Sequence, residues 1–503
     1  MIRGVSEMKR HGSVVPLLVS LLLVGCASLS SRRIPVSFDR PEQCQAFFDQ
    51  LDEWVRKAGV RDASSVPIPG FPYLRTNRFL AALKRTLKEG REKEAWVRGM
   101  QELDLKSRKK EIGNLPQTML PPFLSKKTEQ ADREEILSRV NSCSSELLNH
   151  DQTRSDLFVT LEPLVEVPDE YSCLMRTLGL YPLIALPVAV ATNSSRKKIR
   201  SWFDTDPDHL PVDGRLRPFV PDEEISLPEN EVQRIVEEAR TNPLGVPFLD
   251  EKMEKKLVAS FAPVFIQDAA APYDQLGEVV WKDDCIEVSP GKPVVYYYLS
   301  HAFLKGEPVL QINYVIWYSE RAGERPPWLE KGHLDGLTIR VSLDHQGKAF
   351  MADVVMDCGC YHLFAPQEER VDRILPRAFM FDAFVPQWLP VLSPGERLGI
   401  RINSGWHQVQ RLISVGEILD PIPYELLPYD ILEALPHGDG RTESIFDDDG
   451  IGKGSERIER FILFSMGIPS VGSMRQRGHH AIELIGQAHF DDPYLFDKNF
   501  IFK

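Results

Sequence analysis

The chain has 503 residues, of which 43% are hydrophobic and 26% charged, and its formal net charge is −13. This is the composition of an ordinary globular protein, long enough for two or three domains of about 150 residues each. The acidic excess argues against nucleic acid as a partner, because binding to phosphates requires a basic surface.

The first 25 residues have the three-part layout of a secretory leader. A basic start with Arg3, Lys9 and Arg10 precedes a nearly continuous apolar run at 14–24, and small residues then lead to Cys26. The apolar run is 11 residues long, which is too short to span a bilayer, since a spanning helix takes roughly 20 residues.

The stretch 23–26, with the sequence Leu-Val-Gly-Cys, resembles the lipobox of bacterial lipoproteins. The resemblance implies that 1–25 is removed and that Cys26 carries a thioether-linked diacylglycerol and an N-linked acyl chain such as palmitate. Several acyl chains hold a protein firmly on a membrane, whereas one is marginal. Ala27 follows where Asp would favour the inner membrane, so the same resemblance implies the outer membrane, facing the periplasm. Residues 26–41 form the lipid anchor and a short tether.

Six cysteines remain after Cys26, an even number that permits disulfides in an oxidising compartment. Cys44 and Cys143 both lie on helical patterns and are the first candidate pair. Buried free thiols are the alternative, and the sequence does not decide the connectivity.

Residues 42–202 are predicted to form a helical domain. Phe47, Leu51 and Trp54 recur at i, i+4 and i+7, the spacing of one helix face. Within this region, 171–192 is strongly apolar but is interrupted by one arginine and two prolines. These interruptions favour a buried helix or a segment that grazes a membrane over a membrane-spanning helix.

The remaining chain divides into three predicted parts. Residues 203–256 are rich in Pro and Asp and are expected to be a linker with a helix. Residues 257–415 contain short β-branched and aromatic runs, such as the alternating 338–343, which predict antiparallel strands. Residues 416–503 are predicted to return to helix. The expected class is therefore α+β, with a helical N-terminal region, a central antiparallel, sandwich-like domain and a helical C-terminal segment.

The densest cluster of chemically active side chains lies in the predicted β domain. Its members are the six residues His333, Asp335, Cys358, Cys360, His362 and His407. Residues two apart share a face of a strand, so imidazole, carboxylate and thiolate groups converge if the three segments are neighbours. These are ligands of zinc and iron, and the cluster is a candidate metal site.

Two structural interpretations compete with the metal site. In one, Cys358 and Cys360 form a short-range disulfide or are simply buried. In the other, the histidines belong to a structural polar network and bond to the backbone. The spacing has no C-x₂-C pair, so it does not match a zinc finger.

Residues 260–410 resemble the β-sandwich proteins of the vacuolar-sorting-62 type. The resemblance is carried by 311–314, 333–335, the strand and turn at 338–347, and 404–407. The necrosis-inducing sandwiches have a similar His-rich loop that binds a divalent cation. The resemblance implies an antiparallel sandwich. The Trp-Glu pair of those loops is replaced here by Gly-Leu, so one carboxylate ligand is missing.

The spacing His333-x-Asp335, with the distal His407 and Arg411, also resembles the facial triad of non-haem iron oxygenases. Two functions therefore stay open. The first is an envelope lipoprotein that binds an envelope protein partner or has a structural role. The second is a periplasmic enzyme that depends on zinc or iron held by the cluster in the β domain.

Overall fold

A computed structural model describes residues 40–88, 90–120, 129–223, 225–377, 381–438 and 440–503. The leader, Cys26 and nearly all of the tether lie outside the described residues. The described residues belong to one compact unit. A large curled mixed sheet of ten strands, with helices at both ends of the chain, confirms the α+β class.

The described helices and strands follow in chain order. The helices are α1 (Pro41–Ala58), α2 (Arg78–Leu83), α3 (Gly90–Asn114), α4 (Glu129–Gln152), α5 (Leu157–Leu161), α6 (Cys173–Leu178), α7 (Tyr181–Asp204), α8 (Glu229–Ala239), α9 (Glu251–Phe261), α10 (Glu459–Ile462) and α11 (Leu495–Asn499). The strands are β1 (Val66–Ile68), β2 (Phe71–Thr76), β3 (Arg215–Pro221), β4 (Val264–Ala269), β5 (Glu278–Lys282), β6 (Cys285–Ser289), β7 (Val294–Leu304), β8 (Glu307–Arg321), β9 (Gly332–Leu343), β10 (Ala349–Met356), β11 (Leu363–Pro366), β12 (Val371–Ile374), β13 (Arg397–Ile402), β14 (Val409–Val415), β15 (Ile422–Pro428), β16 (Leu435–Pro436), β17 (Thr442–Glu443) and β18 (Phe500–Phe502).

A disulfide ties the first helix to the rest of the N-terminal region. Helix α1 begins at Pro41, where the missing N–H costs nothing, and ends at Gly59, which adopts φ +63°. Its buried face includes Phe47 and Leu51, as the periodicity predicts. On that face Cys44 is bonded to Cys143 of α4, with Cα atoms 5.0 Å apart, so the predicted pair is confirmed.

The main sheet has the order β11-β10-β9-β8-β7-β15-β3-β4-β13-β14. Strands β7 to β11 form an antiparallel meander, as the alternating patterns predict. Three further pairings are parallel: β15 with β7, β15 with β3, and β13 with β4. The central strands therefore belong to one mixed sheet, which differs from the purely antiparallel sandwich that the sequence suggests.

The segment expected to be a linker contributes a strand to this sheet. Strand β3 lies between β15 and β4, and it pairs Phe219 with Ile422 on one side and with Phe265 on the other. Two prolines within β3 lower its strand propensity, and its partners are distant in sequence. Pairing with distant strands outweighs the local preference, so 203–256 is part of the folded body.

The C-terminal segment contains helices, but those described are short. Helix α10 is followed by a single 3₁₀ turn, Phe464–Met466, and Gly467 at φ +84° then ends the run. Ile458 and Phe461 are exposed while Met466 is fully buried, so they do not form one buried face. Strand β15, also in this segment, lies in the middle of the main sheet.

The apolar segment 171–192 forms α6 and the first half of α7. Pro182 occupies the first turn of α7, where proline is tolerated, and Pro187 lies inside the helix. Within the part of the chain that the structure describes, no helix is both long and apolar enough to cross a membrane. Much of the segment faces outward, with Leu186 69% exposed.

Replacing both Cys44 and Cys143 by serine should lower the free energy of unfolding by about 2–5 kcal/mol, because the bridge closes a loop with a sequence separation of 99 residues. Denaturant unfolding monitored by tryptophan fluorescence measures the change. Cys173→Ser, at an exposed free thiol, is the control. Equal unfolding midpoints for the double variant and the control would contradict the structural role of the bridge.

Candidate functional site

A buried ion network lies where β8 ends and β9 begins. Arg321, the last residue of β8, donates two hydrogen bonds from one edge of its guanidinium to Asp335, from Nε at 3.0 Å and from Nη2 at 2.7 Å. The same guanidinium donates to Glu330 Oε2 at 3.0 Å. A buried charge is tolerated only when it is paired and hydrogen-bonded, and this bidentate arrangement meets that requirement.

His407 extends the network to the loop after β13. Its Nδ1 donates to Asp335 Oδ2 at 2.7 Å, its Nε2 lies 3.4 Å from Asp274 Oδ1, and its ring stacks on Tyr318 with centroids 3.8 Å apart. Burial alone would lower the pKa of His407, but the carboxylates of Asp274 and Asp335 outweigh it and raise that pKa. The two carboxylates therefore favour the protonated form of the imidazole.

Three non-glycine residues around the network have left-handed backbone: Leu334 (φ 58°), Tyr361 (φ 58°) and His407 (φ 53°). This conformation is uncommon for bulky side chains and persists only where the surroundings enforce it. At Leu334 it breaks the alternation of β9. His333 and Asp335 therefore do not share a face, although the strand spacing predicts that they do.

The six predicted ligands occupy different surroundings. Asp335 and His407 meet in the buried network. His333 is exposed and donates from Nε2 to the carbonyl of Ile286 at 2.8 Å. His362 donates to Asp353, 2.9 Å away.

Cys358 and Cys360 are free thiols, so the predicted short-range disulfide is absent between these two described residues. Among the described residues no group of three or more His, Cys, Asp or Glu side chains is arranged to hold a metal ion. The zinc or iron site therefore stays a prediction. What the geometry shows is a structural polar network built from Asp335 and His407.

Beside the network lies a cavity of about 400 Å³. Helix α7 forms one wall, and the turn after β10, the 381–384 segment and the C-terminal loops form the others. Its apolar lining comprises Val188, Ala191, Ile199, Leu329, Phe364, Phe381, Phe384, Ile462, Leu463, Ile468, Val471, Ala481, Ile482, Leu484, Ile485 and Leu495. The volume is within the roughly 300–1,000 Å³ of small-molecule sites.

The wall of the cavity nearest the network is polar. Cys358 and Cys360 line it, and a hydrogen bond from the Cys360 thiol lowers the pKa of Cys358, with help from Arg321 and Arg457 and against the effect of burial. Glu330 also lines it, and accepts a hydrogen bond from Tyr361 at 2.5 Å. The ion network thus fixes the position of this wall.

Glu459, at the start of α10, is a further polar group in the lining. Burial, together with the nearby negative charge of Glu330 and Cys358, raises the pKa of Glu459 to about 8. At neutral pH its carboxyl group is mostly protonated and can donate a hydrogen bond. The cavity therefore combines a largely apolar lining with a cluster of hydrogen-bonding side chains.

Sequence reasoning did not find the residues that complete this site. Arg321 ends a strand, and Glu330 and Arg457 lie in loops that carry no motif. Glu459 is the first residue of the short helix α10 and belongs to no motif. The one available signal was the apolar segment 171–192, which supplies the α7 wall.

Comparisons with protein-family models, with curated proteins and with solved structures found no match to this chain.

Replacing Arg321 by methionine should cost about 3–5 kcal/mol of folding free energy, because it leaves Asp335 and Glu330 buried without their shared cation. Arg325→Met is a close control, since Arg325 pairs with Asp213 nearer the surface and such pairs contribute about 0–1 kcal/mol. Urea denaturation gives the free energy of unfolding of each variant. A loss at Arg321 no larger than at Arg325 would contradict the central role of the network.

Replacing Glu459 by glutamine should change the pH dependence of stability. The folded protein keeps a proton on Glu459 that the unfolded chain releases between pH 4.5 and about 8, so folding free energy is lost as pH rises through that window. The glutamine variant has no carboxyl group to deprotonate at this position, so it should not show this loss. Between pH 5 and 9 its free energy of unfolding, measured relative to that of the parent, should rise by on the order of 1–4 kcal/mol. Exposed Glu456→Gln is the control, and identical profiles for both variants would refute the assignment.

Proposed function

We propose that the protein is a lipid-anchored lipoprotein of the bacterial cell envelope that binds an acyl-chain-like molecule in the cavity beneath α7. The observation that carries this proposal is the cavity itself. A space of about 400 Å³ lined by aliphatic and aromatic side chains favours an elongated apolar ligand, since burial of apolar surface is the main source of its affinity.

The polar groups of the cavity suit the head of such a ligand. The protonated carboxyl of Glu459 can donate a hydrogen bond, and the Cys358–Cys360 thiol pair lies in the same lining. A few polar groups in an otherwise apolar pocket fix the orientation of a ligand. The ligand class is therefore amphipathic, with one acyl chain and a small polar head.

Two features support placement in the envelope. The stretch 23–26 has the lipobox pattern, which would put acyl chains on Cys26 and hold the body at the outer membrane, facing the periplasm. The Cys44–Cys143 disulfide suits an oxidising compartment such as the periplasm. Together they support a position for the apolar cavity near the acyl chains of a membrane.

Photolabelling with a palmitic acid that carries a diazirine tests the proposal. The probe should form adducts on the peptide that contains Ile468 and Val471, because both line the cavity and are less than 5% exposed. Val188→Trp fills the cavity from α7 and should lower the adduct yield at least about tenfold, which corresponds to roughly 1.4 kcal/mol. Mass spectrometry of the digested protein gives the yield.

Asn193→Trp is the matched control, because it places the same bulky ring at an exposed position of the same helix that does not line the cavity. It should leave the yield unchanged. Adducts found only on exposed peptides, or an equal yield from both tryptophan variants, would overturn ligand binding in the cavity.

A further inference from the structure

Helix α7 is apolar on two faces in its first half. Val188 and Ala191 face the cavity. Leu186 and Val190, four residues apart, lie on the other side and are 69% and 73% exposed. A helix that is apolar all round is normally buried in a protein core or in a membrane. Within the described ranges, no apolar element covers the outer face of α7.

Neighbouring elements enlarge this exposed surface. Helix α6 packs against the 3₁₀ turn after α10, where Ser172 N–H donates to Gly467 O at 2.7 Å and Arg176 Nε donates to Met466 O at 2.9 Å. We call the combined surface the apolar face. It consists of the exposed side chains Leu174, Leu178, Leu180, Leu183, Leu186, Val190, Phe461 and Phe464.

The apolar face adjoins the mouth of the cavity. Ile462 lies between Phe461 and Phe464 in sequence, lines the cavity and is 46% exposed. Val188 lines the cavity from α7 between two members of the apolar face. A molecule that leaves the cavity past these residues would therefore reach the apolar face directly.

The chemistry of the apolar face favours lipid over a protein surface. Residues 177–195 contain no Asp, Glu, Lys or Arg, although 26% of the chain is charged. Exposed Lys197 follows on α7 where the apolar run ends. An apolar stretch bordered by a basic side chain is typical of helices that lie in the interface plane of a membrane.

The length of chain before the described body allows such a contact. Thirteen residues, 27–39, separate the predicted acylated cysteine from Arg40 just before α1. Fully extended, they span at most about 50 Å. This reach is comparable to the diameter expected for a compact body of this size, so the anchor permits the apolar face to rest on the bilayer.

We propose that the apolar face docks on the lipid bilayer, with the leucines of α6 and α7 inserted at the boundary between headgroups and acyl chains. This proposal rests on the proposed function, from which it takes the lipid anchor and the acyl-chain ligand. It adds the surface through which the body would contact the membrane. The cavity would then exchange its acyl-chain ligand directly with the membrane rather than through water.

Fluorescence quenching of the acylated full chain in phosphatidylcholine vesicles tests this docking. The Leu186→Trp variant adds one tryptophan to the eight native ones. The difference in emission between this variant and the parent protein reports on the apolar face. Acyl-brominated phosphatidylcholine should remove most of the added emission, while aqueous iodide should remove little. Both results should persist in 0.5 M salt, at a Debye length of about 4 Å, because insertion is driven by apolar burial rather than by charge.

Leu419→Trp is the matched control, since it replaces an equally large leucine that is 90% exposed in the loop between β14 and β15. Its added emission should be quenched by iodide and not by bromine. The same pattern at position 186 would show that the apolar face is in water and would overturn docking. Protection from both quenchers would show a protein cover, such as a second copy, and would also overturn it.

The two proposals fail separately. Photolabelling of the peptide with Ile468 and Val471 reports on the cavity, whereas bromine quenching at position 186 reports on the apolar face. Labelling without bromine quenching would support ligand binding in the cavity and contradict docking of the apolar face. Quenching without labelling would leave a membrane-bound body whose cavity has no acyl ligand.

Discussion

The pairing of Arg321 with Asp335 is the constraint on which the site depends. A guanidinium and a carboxylate that are both fully buried must satisfy each other, and here Glu330 and His407 complete the arrangement. Because Glu330 also accepts a hydrogen bond from Trp406 and lines the cavity, the network connects the ends of β8 and β9 to the cavity wall. The rest of the lining, from α7, the 381–384 segment and the C-terminal loops, is mostly apolar.

The proposed function would link anchoring to binding through one helix. The sheet provides a stable base, the ion network holds one side of the cavity, and α7 covers the cavity while presenting apolar side chains outward. A single helix thus contributes to the lining and to the exposed surface. This explains why a segment as apolar as 177–195 occurs in a chain with a net charge of −13. Both of its faces meet apolar surroundings if the body rests on a membrane.

Local patterns predicted much of the fold. The period of α1 and the alternating run 338–343 of β9 depend on neighbouring residues alone, and the structure confirms these elements. Strand β3 could not be found, because its two prolines argue against a strand and its partners lie far along the chain. Distance along the chain also hid part of the site. Asp335 and His407 were found as reactive residue types, but Arg321, which neutralises Asp335, comes from a different strand.

Native mass spectrometry of the protein, taken from bacterial membranes without delipidation, tests the central claim most directly. The account predicts a covalent mass on Cys26 equal to a diacylglyceryl group and one acyl chain, and in addition one amphipathic acyl-chain molecule that is released when the complex is activated. Substitution of Val188 by tryptophan should remove the released molecule and keep the covalent mass. A body that carries no released ligand, in protein whose fold and anchor are intact, would contradict the account.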